Sequence, residues 1–101
     1  MSFDPLRKLK TVNPTLYKRM QETSETAFSN GKIPVKYKFL IAMALDACEG
    51  AENGVTSLAA QAIEQGATKE EIAEVLEVLH FVCGGGSIYT ASIGLSKIEE
   101  L

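Results

Sequence analysis

The sequence predicts an all-α fold, a compact bundle of about six helices, and three observations lead to this prediction. No stretch of the 101 residues alternates apolar and polar side chains as a half-buried strand does. Apolar residues recur instead at helical spacing. The third observation is the corner between two of the predicted helices. Gly66 can end one helix in the left-handed conformation, and Thr68 with Glu71 can form a capping box for the next.

Two caps before prolines predict the first two helices. Asp4 precedes Pro5, and Asn13 precedes Pro14, so each pair places a side-chain cap before a proline at the first helical position. The first helix is therefore expected to be short. The second is expected to run from Pro14 to about Ser29, with one apolar stripe along it.

The third helix is predicted to start at Pro34 and to be the most buried. Its segment FLIAMAL, residues 39–45, is apolar on every side, and a helix that is apolar all round is normally buried all round. In so small a domain this favours a central helix that is covered partly by its own chain and partly by another subunit. The polar segment DACEGAENG, residues 46–54, is expected to separate the third helix from the fourth.

The fourth helix is predicted to end near Gln65 and the fifth to run from Lys69 to about Val82. One face of the fifth helix is expected to pack inward, with Ile72, Val75, Leu76, Leu79, Val82 and Cys83 on it. Val78 and Phe81 fall off that face, which indicates a subunit contact. Glycines 84–86 then predict a turn, and residues 87–100 a last helix.

Charge and hydropathy exclude several classes of function. The net charge is −3 and the pI about 5.1, which argues against a nucleic-acid or anionic-membrane partner, because both require a concentrated basic patch. The N-terminus lacks the apolar region of a secretory signal, and no apolar run is long enough to span a bilayer. We therefore expect a soluble, cytoplasmic protein with one domain, residues 1–101.

The two cysteines, Cys48 and Cys83, match no zinc spacing and no disulfide-dense framework. Buried, reduced thiols are the first expectation for both. A redox pair formed by their meeting in space is the alternative, and nothing in the sequence sets their separation. No cofactor and no metal is predicted.

Three segments in order carry a family resemblance: the apolar FLIAMAL helix, the GATKEEI corner and the GGGSIYTA start of the last helix. Together they resemble the carboxymuconolactone decarboxylase family, whose superfamily includes the alkylhydroperoxidase D-like proteins. The resemblance covers about residues 33–101, and residues 1–32 are expected to add N-terminal helices. It implies a homotrimer or homohexamer with a site near the subunit contacts.

The resemblance also implies a motif that this chain lacks. The peroxidase branch carries Cys-x-x-Cys, a His shortly after it and a Glu upstream. Counted back from the corner, the His position falls at Leu58, the cysteines at Gly54 and Ala51, and the Glu at Phe39. A disulfide-cycling peroxidase needs one thiolate to attack peroxide, a second thiol to resolve the product and a base. The decarboxylase branch commonly has its His at the position of Leu58 as well.

His80 and Cys83 are the remaining candidates for catalysis, one helical turn apart on the fifth helix. The imidazole could lower the pKa of the thiol, or both side chains could touch one ligand. The alternative is that His80 is structural and Cys83 packs in the core. Two function classes follow: an enzyme acting on a small organic substrate or on peroxides, or a non-catalytic homo-oligomer that binds a small molecule or a partner.

Overall fold

The computed structural model describes residues 6–101, and every regular element in that range is a helix. The predicted all-α bundle of about six helices is therefore confirmed. The helices are α1 (Arg7–Val12), α2 (Pro14–Ala27), α3 (Val35–Cys48), α4 (Glu52–Glu64), α5 (Lys69–Cys83) and α6 (Gly85–Leu95). None of these helices is long and apolar enough to cross a membrane.

Helix α3 is the centre of the fold, since it contacts α4, α5 and α6. The most completely buried large side chains are Met43 on α3 and Val55 on α4. Small residues let the helices approach closely. At Gly94, on α6, an added Cβ would lie only 2.6 Å from Val55 Cγ1. The core consists of Val35, Phe39, Leu40, Met43, Ala47, Val55, Ala59, Ala62, Ala67, Ile72, Leu79, Ala91 and Ile98.

Helices α1 and α2 pack on each other and contain no buried residue. The predicted cap at the start of α2 is present, because Asn13 Oδ1 accepts a hydrogen bond from the Leu16 N–H at 3.0 Å. The predicted cap formed by Asp4 and Pro5 lies outside the described residues. Phe28 follows α2 and stacks on Phe39 of the core, with ring centroids 4.7 Å apart. This stack links the N-terminal helices to the bundle.

The corner between α4 and α5 has the predicted geometry. Gly66 has a φ of +101°, which is favourable only for glycine. Thr68 Oγ1 accepts from the Glu71 N–H at 3.1 Å, and Glu71 Oε1 accepts from the Thr68 N–H at 2.9 Å. The capping box is thus complete and sets the start of α5.

Two predicted breaks between helices are shorter in the structure. Of residues 46–54 only 49–51 lie between helices. Gly50, with a φ of +81°, makes the turn alone. Gly54 lies inside α4, and an added Cβ there would overlap the Asp46 carboxylate, which explains why this position holds a glycine. Likewise Gly84, with a φ of +84°, suffices to turn the chain, so α6 starts at Gly85 rather than at residue 87 and ends at Leu95.

Within this chain α3 is covered incompletely, which agrees with the expectation that its own chain covers only part of it, and cover by another subunit stays a prediction. Ile41 and Leu45 are exposed by 51% and 63%, because α4, α5 and α6 do not surround α3 completely. Val82 was predicted to pack inward but is 72% exposed, whereas Ile72 and Leu79 of the same helix are buried. The face of α5 that packs against the core is narrower than the apolar pattern of its sequence indicates.

Candidate functional site

A disulfide bond joins Cys48 to Cys83. Cys48 is the last residue of α3 and Cys83 the last of α5, and their Cα atoms lie 5.8 Å apart, a usual distance for a disulfide. The expectation of buried, reduced thiols is therefore wrong. Cys48 is exposed and Cys83 is half-buried. The two cysteines meet in space, which is the alternative that the sequence left open.

The two ends of α3 lie beside the corresponding ends of α5, because the two helices run side by side in the same direction. At their first turns Glu71 Oε2 lies 3.1 Å from Lys36 Nζ and accepts a hydrogen bond from the Tyr37 hydroxyl at 3.3 Å. The same number of residues separates Lys36 from Cys48 and Glu71 from Cys83, so the two helix ends arrive together. At a rise of about 1.5 Å per residue, the polar cluster and the disulfide are about 18 Å apart.

Glu71 anchors the first of these two ends electrostatically. The hydrogen bond from the Thr68 N–H, followed by the one from the Lys36 ammonium, holds the pKa of the Glu71 carboxyl below its usual range. The hydrogen bond to Glu71 in turn raises the pKa of Lys36. Both side chains are partly exposed, so this ion pair positions the helices more than it stabilises them.

Between the two ends lies an apolar groove of about 370 Å³, which we call the α3–α5 groove. Its walls are almost entirely apolar, with the Tyr37 ring near one end and the disulfide at the other. Its volume is in the range of small-molecule sites. It is lined by Tyr37, Leu40, Ile41, Ala44, Leu45, Cys48, Val75, Val78, Leu79, Val82 and Cys83.

His80 is exposed and opens to a different groove, between α5 and α6. This second groove measures about 470 Å³ and is lined by Leu76, Glu77, His80, Gly85, Ile88 and Tyr89. His80 and Cys83 are one turn apart on α5, as predicted from the sequence. Cys83 contributes to the α3–α5 groove and is bonded to Cys48. The structure thus bonds Cys83 to the sulfur of Cys48, and His80 opens to the other groove.

Asp46 lies two residues before Cys48, near the disulfide end of α3, and its carboxylate rests against Gly54 of α4. Burial raises the pKa of the Asp46 carboxyl above its ordinary value, and the negative charge of Glu49 raises it further. Gly54 is the position where the resemblance would place a cysteine. A carboxyl group therefore occupies space that a side chain at that position would need.

No group of three or more His, Cys, Asp and Glu side chains within residues 6–101 could hold a metal ion. The four positions of the missing motif offer no thiol, imidazole or carboxylate. Phe39 is part of the buried core, and Leu58 is half-buried against it. The chemically reactive feature of this region is the disulfide.

The sequence analysis named Cys83 as a catalytic candidate and left the meeting of Cys48 and Cys83 open as an alternative. One signal was available, because each cysteine lies at the end of an apolar helical stretch. The parallel arrangement of α3 and α5, which brings those ends together, could not be read from the sequence.

Comparison with known proteins agrees with the resemblance. The family model described as the carboxymuconolactone decarboxylase family matches residues 14–94. An uncharacterized protein of Cupriavidus necator is 31% identical over 93 residues, which are 92% of this chain and 82% of that protein. The apo crystal structure of a carboxymuconolactone decarboxylase family protein from Legionella pneumophila superposes with a TM-score of 0.85. That structure is 28% identical, and the match covers 94% of this chain and 85% of the other.

Proposed function

This chain belongs to the carboxymuconolactone decarboxylase family, and from its cysteines we propose that it is a peroxide-reducing redox protein whose working pair is Cys48 and Cys83. One observation carries the proposal. The only two cysteines of the chain, far apart in sequence, form a disulfide at the end of an apolar groove, with Cys48 exposed. In the cytoplasm, which we propose as its compartment, disulfides are more often catalytic or redox-sensing than structural.

The proposed cycle needs two thiols and a hydroperoxide. In the reduced protein, one thiolate attacks the peroxide oxygen, the O–O bond breaks, and an alcohol leaves with a proton. The attacking cysteine becomes a sulfenic acid. The second thiol then attacks that sulfur and releases water, which forms the Cys48–Cys83 disulfide. Two external thiols, or one dithiol, return the pair to the reduced state and are themselves oxidised to a disulfide.

The α3–α5 groove supports an organic hydroperoxide as the substrate. Its apolar walls would bind the organic part of such a molecule and place the peroxide group at the cysteines. Hydrogen peroxide has no apolar part to bind. His80 remains in this proposal as a residue that could favour the Cys83 thiolate, since the two are one turn apart.

The test is peroxide consumption by the reduced protein, with cumene hydroperoxide compared with hydrogen peroxide. We expect faster turnover of the organic peroxide, and a loss of at least about 100-fold when either cysteine is replaced by serine, because each half of the cycle needs its own thiol. Ser57→Ala, at an exposed position on α4, is the control. Consumption that survives in the Cys48→Ser/Cys83→Ser double variant would contradict the proposal.

A non-catalytic protein that binds a small apolar molecule is the second candidate, and the apolar lining of the α3–α5 groove favours it. It would bind an apolar fluorescent dye with equal affinity in the wild type and in both cysteine variants. It would consume no peroxide.

We also propose that the protein is a homotrimer or a homohexamer. The support is exposed apolar side chains on the outer side of α5, where Phe81 is 92% exposed beside Val78 and Val82. Sedimentation equilibrium measures the mass of the assembly directly.

A further inference from the structure

We propose that the Cys48–Cys83 disulfide opens in one direction: an incoming thiolate attacks Cys48 Sγ, and Cys83 departs as the thiolate. This inference rests on the proposed redox cycle of the pair and assigns the order of events in its reductive half. Two features of the structure support it: the exposure of the two cysteines, and the room that each has for the bulk of a mixed disulfide.

Access favours attack on Cys48. Thiolate attack on a disulfide proceeds in line with the S–S bond, so the attacked sulfur must be reachable from the side opposite its partner. Cys48 is exposed at the end of α3. Cys83 is half-buried and packs against the hydrophobic core. Cys48 is therefore the cysteine that a thiol in solution reaches more freely.

Charge near the attacked sulfur affects the choice of reductant. Three acidic residues lie within four positions of Cys48, namely Asp46, Glu49 and Glu52, whereas residues 81–96 contain no charged side chain. The negative charges disfavour the approach of an anionic thiol.

The bulk of a mixed disulfide is accommodated better on Cys48 than on Cys83. Cys83 leaves as a thiolate and takes a proton from solvent, and the neutral thiol then packs against the core as a small apolar residue. Cys48, at the exposed helix end, can carry the bulk of a mixed disulfide without displacing its neighbours. The product of the first step is thus R–S–S–Cys48 with a Cys83 thiolate.

The second step completes the electron balance. Another thiolate attacks the outer sulfur of the mixed disulfide, and R–S–S–R leaves with both electrons removed from the two external thiols. Cys48 departs as a thiolate, and both cysteines take protons from water. The same acidic surroundings predict the class of reductant: neutral or cationic thiols should open the disulfide faster than anionic thiols.

The first test traps the mixed disulfide. The oxidised wild-type protein is treated with cysteamine for a short time, quenched in acid, and alkylated with N-ethylmaleimide, and its peptides are analysed by mass spectrometry. We expect cysteamine on Cys48 and maleimide on Cys83, with at least about a tenfold excess over the reverse labelling.

The second test measures the charge effect in the folded protein. Glu49→Gln should raise the rate of reduction by anionic mercaptopropionate about twofold, because one negative charge near the attacked sulfur is removed. Glu64→Gln, an exposed residue at the far end of α4, is the matched control and should leave the rate unchanged. The increase with mercaptoethanol should be smaller, because its thiolate carries one negative charge and that of mercaptopropionate carries two.

Cysteamine found mainly on Cys83 overturns the assigned direction, and a Glu49→Gln variant that behaves as the Glu64→Gln control overturns the preference for neutral or cationic thiols. The proposed redox cycle fails separately. It is overturned if dithiothreitol cannot reduce the disulfide in the folded protein, or if the reduced protein does not consume peroxide.

Discussion

Helix α3 is held to α4 and to α5 in two different ways. Towards α4 the contact is continuous packing, with Met43 and Val55 fully buried. Towards α5 the contact includes Glu71 at one end and the disulfide at the other, and the α3–α5 groove lies between them. Complete packing leaves no room for a ligand. The side towards α5 is packed incompletely and leaves a ligand-sized space, with the disulfide at one end of it.

The largest expected effect tests the covalent side of this comparison. Reduction of the disulfide should lower the free energy of unfolding by about 3 to 4 kcal/mol, because the bond closes a loop across a sequence separation of 35 residues. Urea unfolding with and without a phosphine reductant measures this change.

The Cys48→Ser/Cys83→Ser double variant is the control for this measurement, since its stability should not respond to the reductant. If the wild type is equally stable in both redox states, the disulfide is not what holds α5 to α3.

The packed side of α3 should be sensitive at single positions. Met43→Ala should lower the free energy of unfolding by about 3 kcal/mol, because it leaves a cavity in a filled core. Leu45→Ala, on the same helix but facing the groove, should cost less than about 0.5 kcal/mol. Chemical denaturation of both variants measures the difference. A Leu45→Ala loss as large as that of Met43→Ala would mean that another surface covers the groove.

The smallest effect concerns Asp46 of α3, whose carboxyl group rests against Gly54 of α4. Its pKa is raised in the folded protein, so the folded state binds this proton more readily than the unfolded state does. Ionisation therefore lowers stability. The loss is complete above the folded pKa and absent below the unfolded pKa of about 3.9.

Asp46→Asn should consequently unfold at a higher temperature than the wild type at neutral pH. The difference should shrink as the pH falls through the folded pKa towards the unfolded one. Thermal melts across this range measure it, with Glu64→Gln as the matched control. A difference that does not depend on pH would mean that the charge of Asp46 is not its cause.

Local chemistry made much of the fold predictable. The capping box of Thr68 and Glu71, the Asn13 cap and the left-handed Gly66 each depend on residues close in sequence, and each is found where it was expected. The errors occurred where a distant contact decides the outcome. Gly54 was expected to lie in the break between two helices, yet it lies within α4. Asp46 of α3 fills the space that a side chain at this position would need.

The sequence by itself therefore determined the helices, most of their ends and the family, because these depend on interactions within a few residues or on patterns along the chain. It also identified Cys83 as a candidate. Only the tertiary structure decided that Cys83 meets Cys48, that His80 opens to another groove, and that Val82 faces outward. These outcomes depend on the parallel alignment of α3 and α5, which arises from packing between segments far apart in the chain.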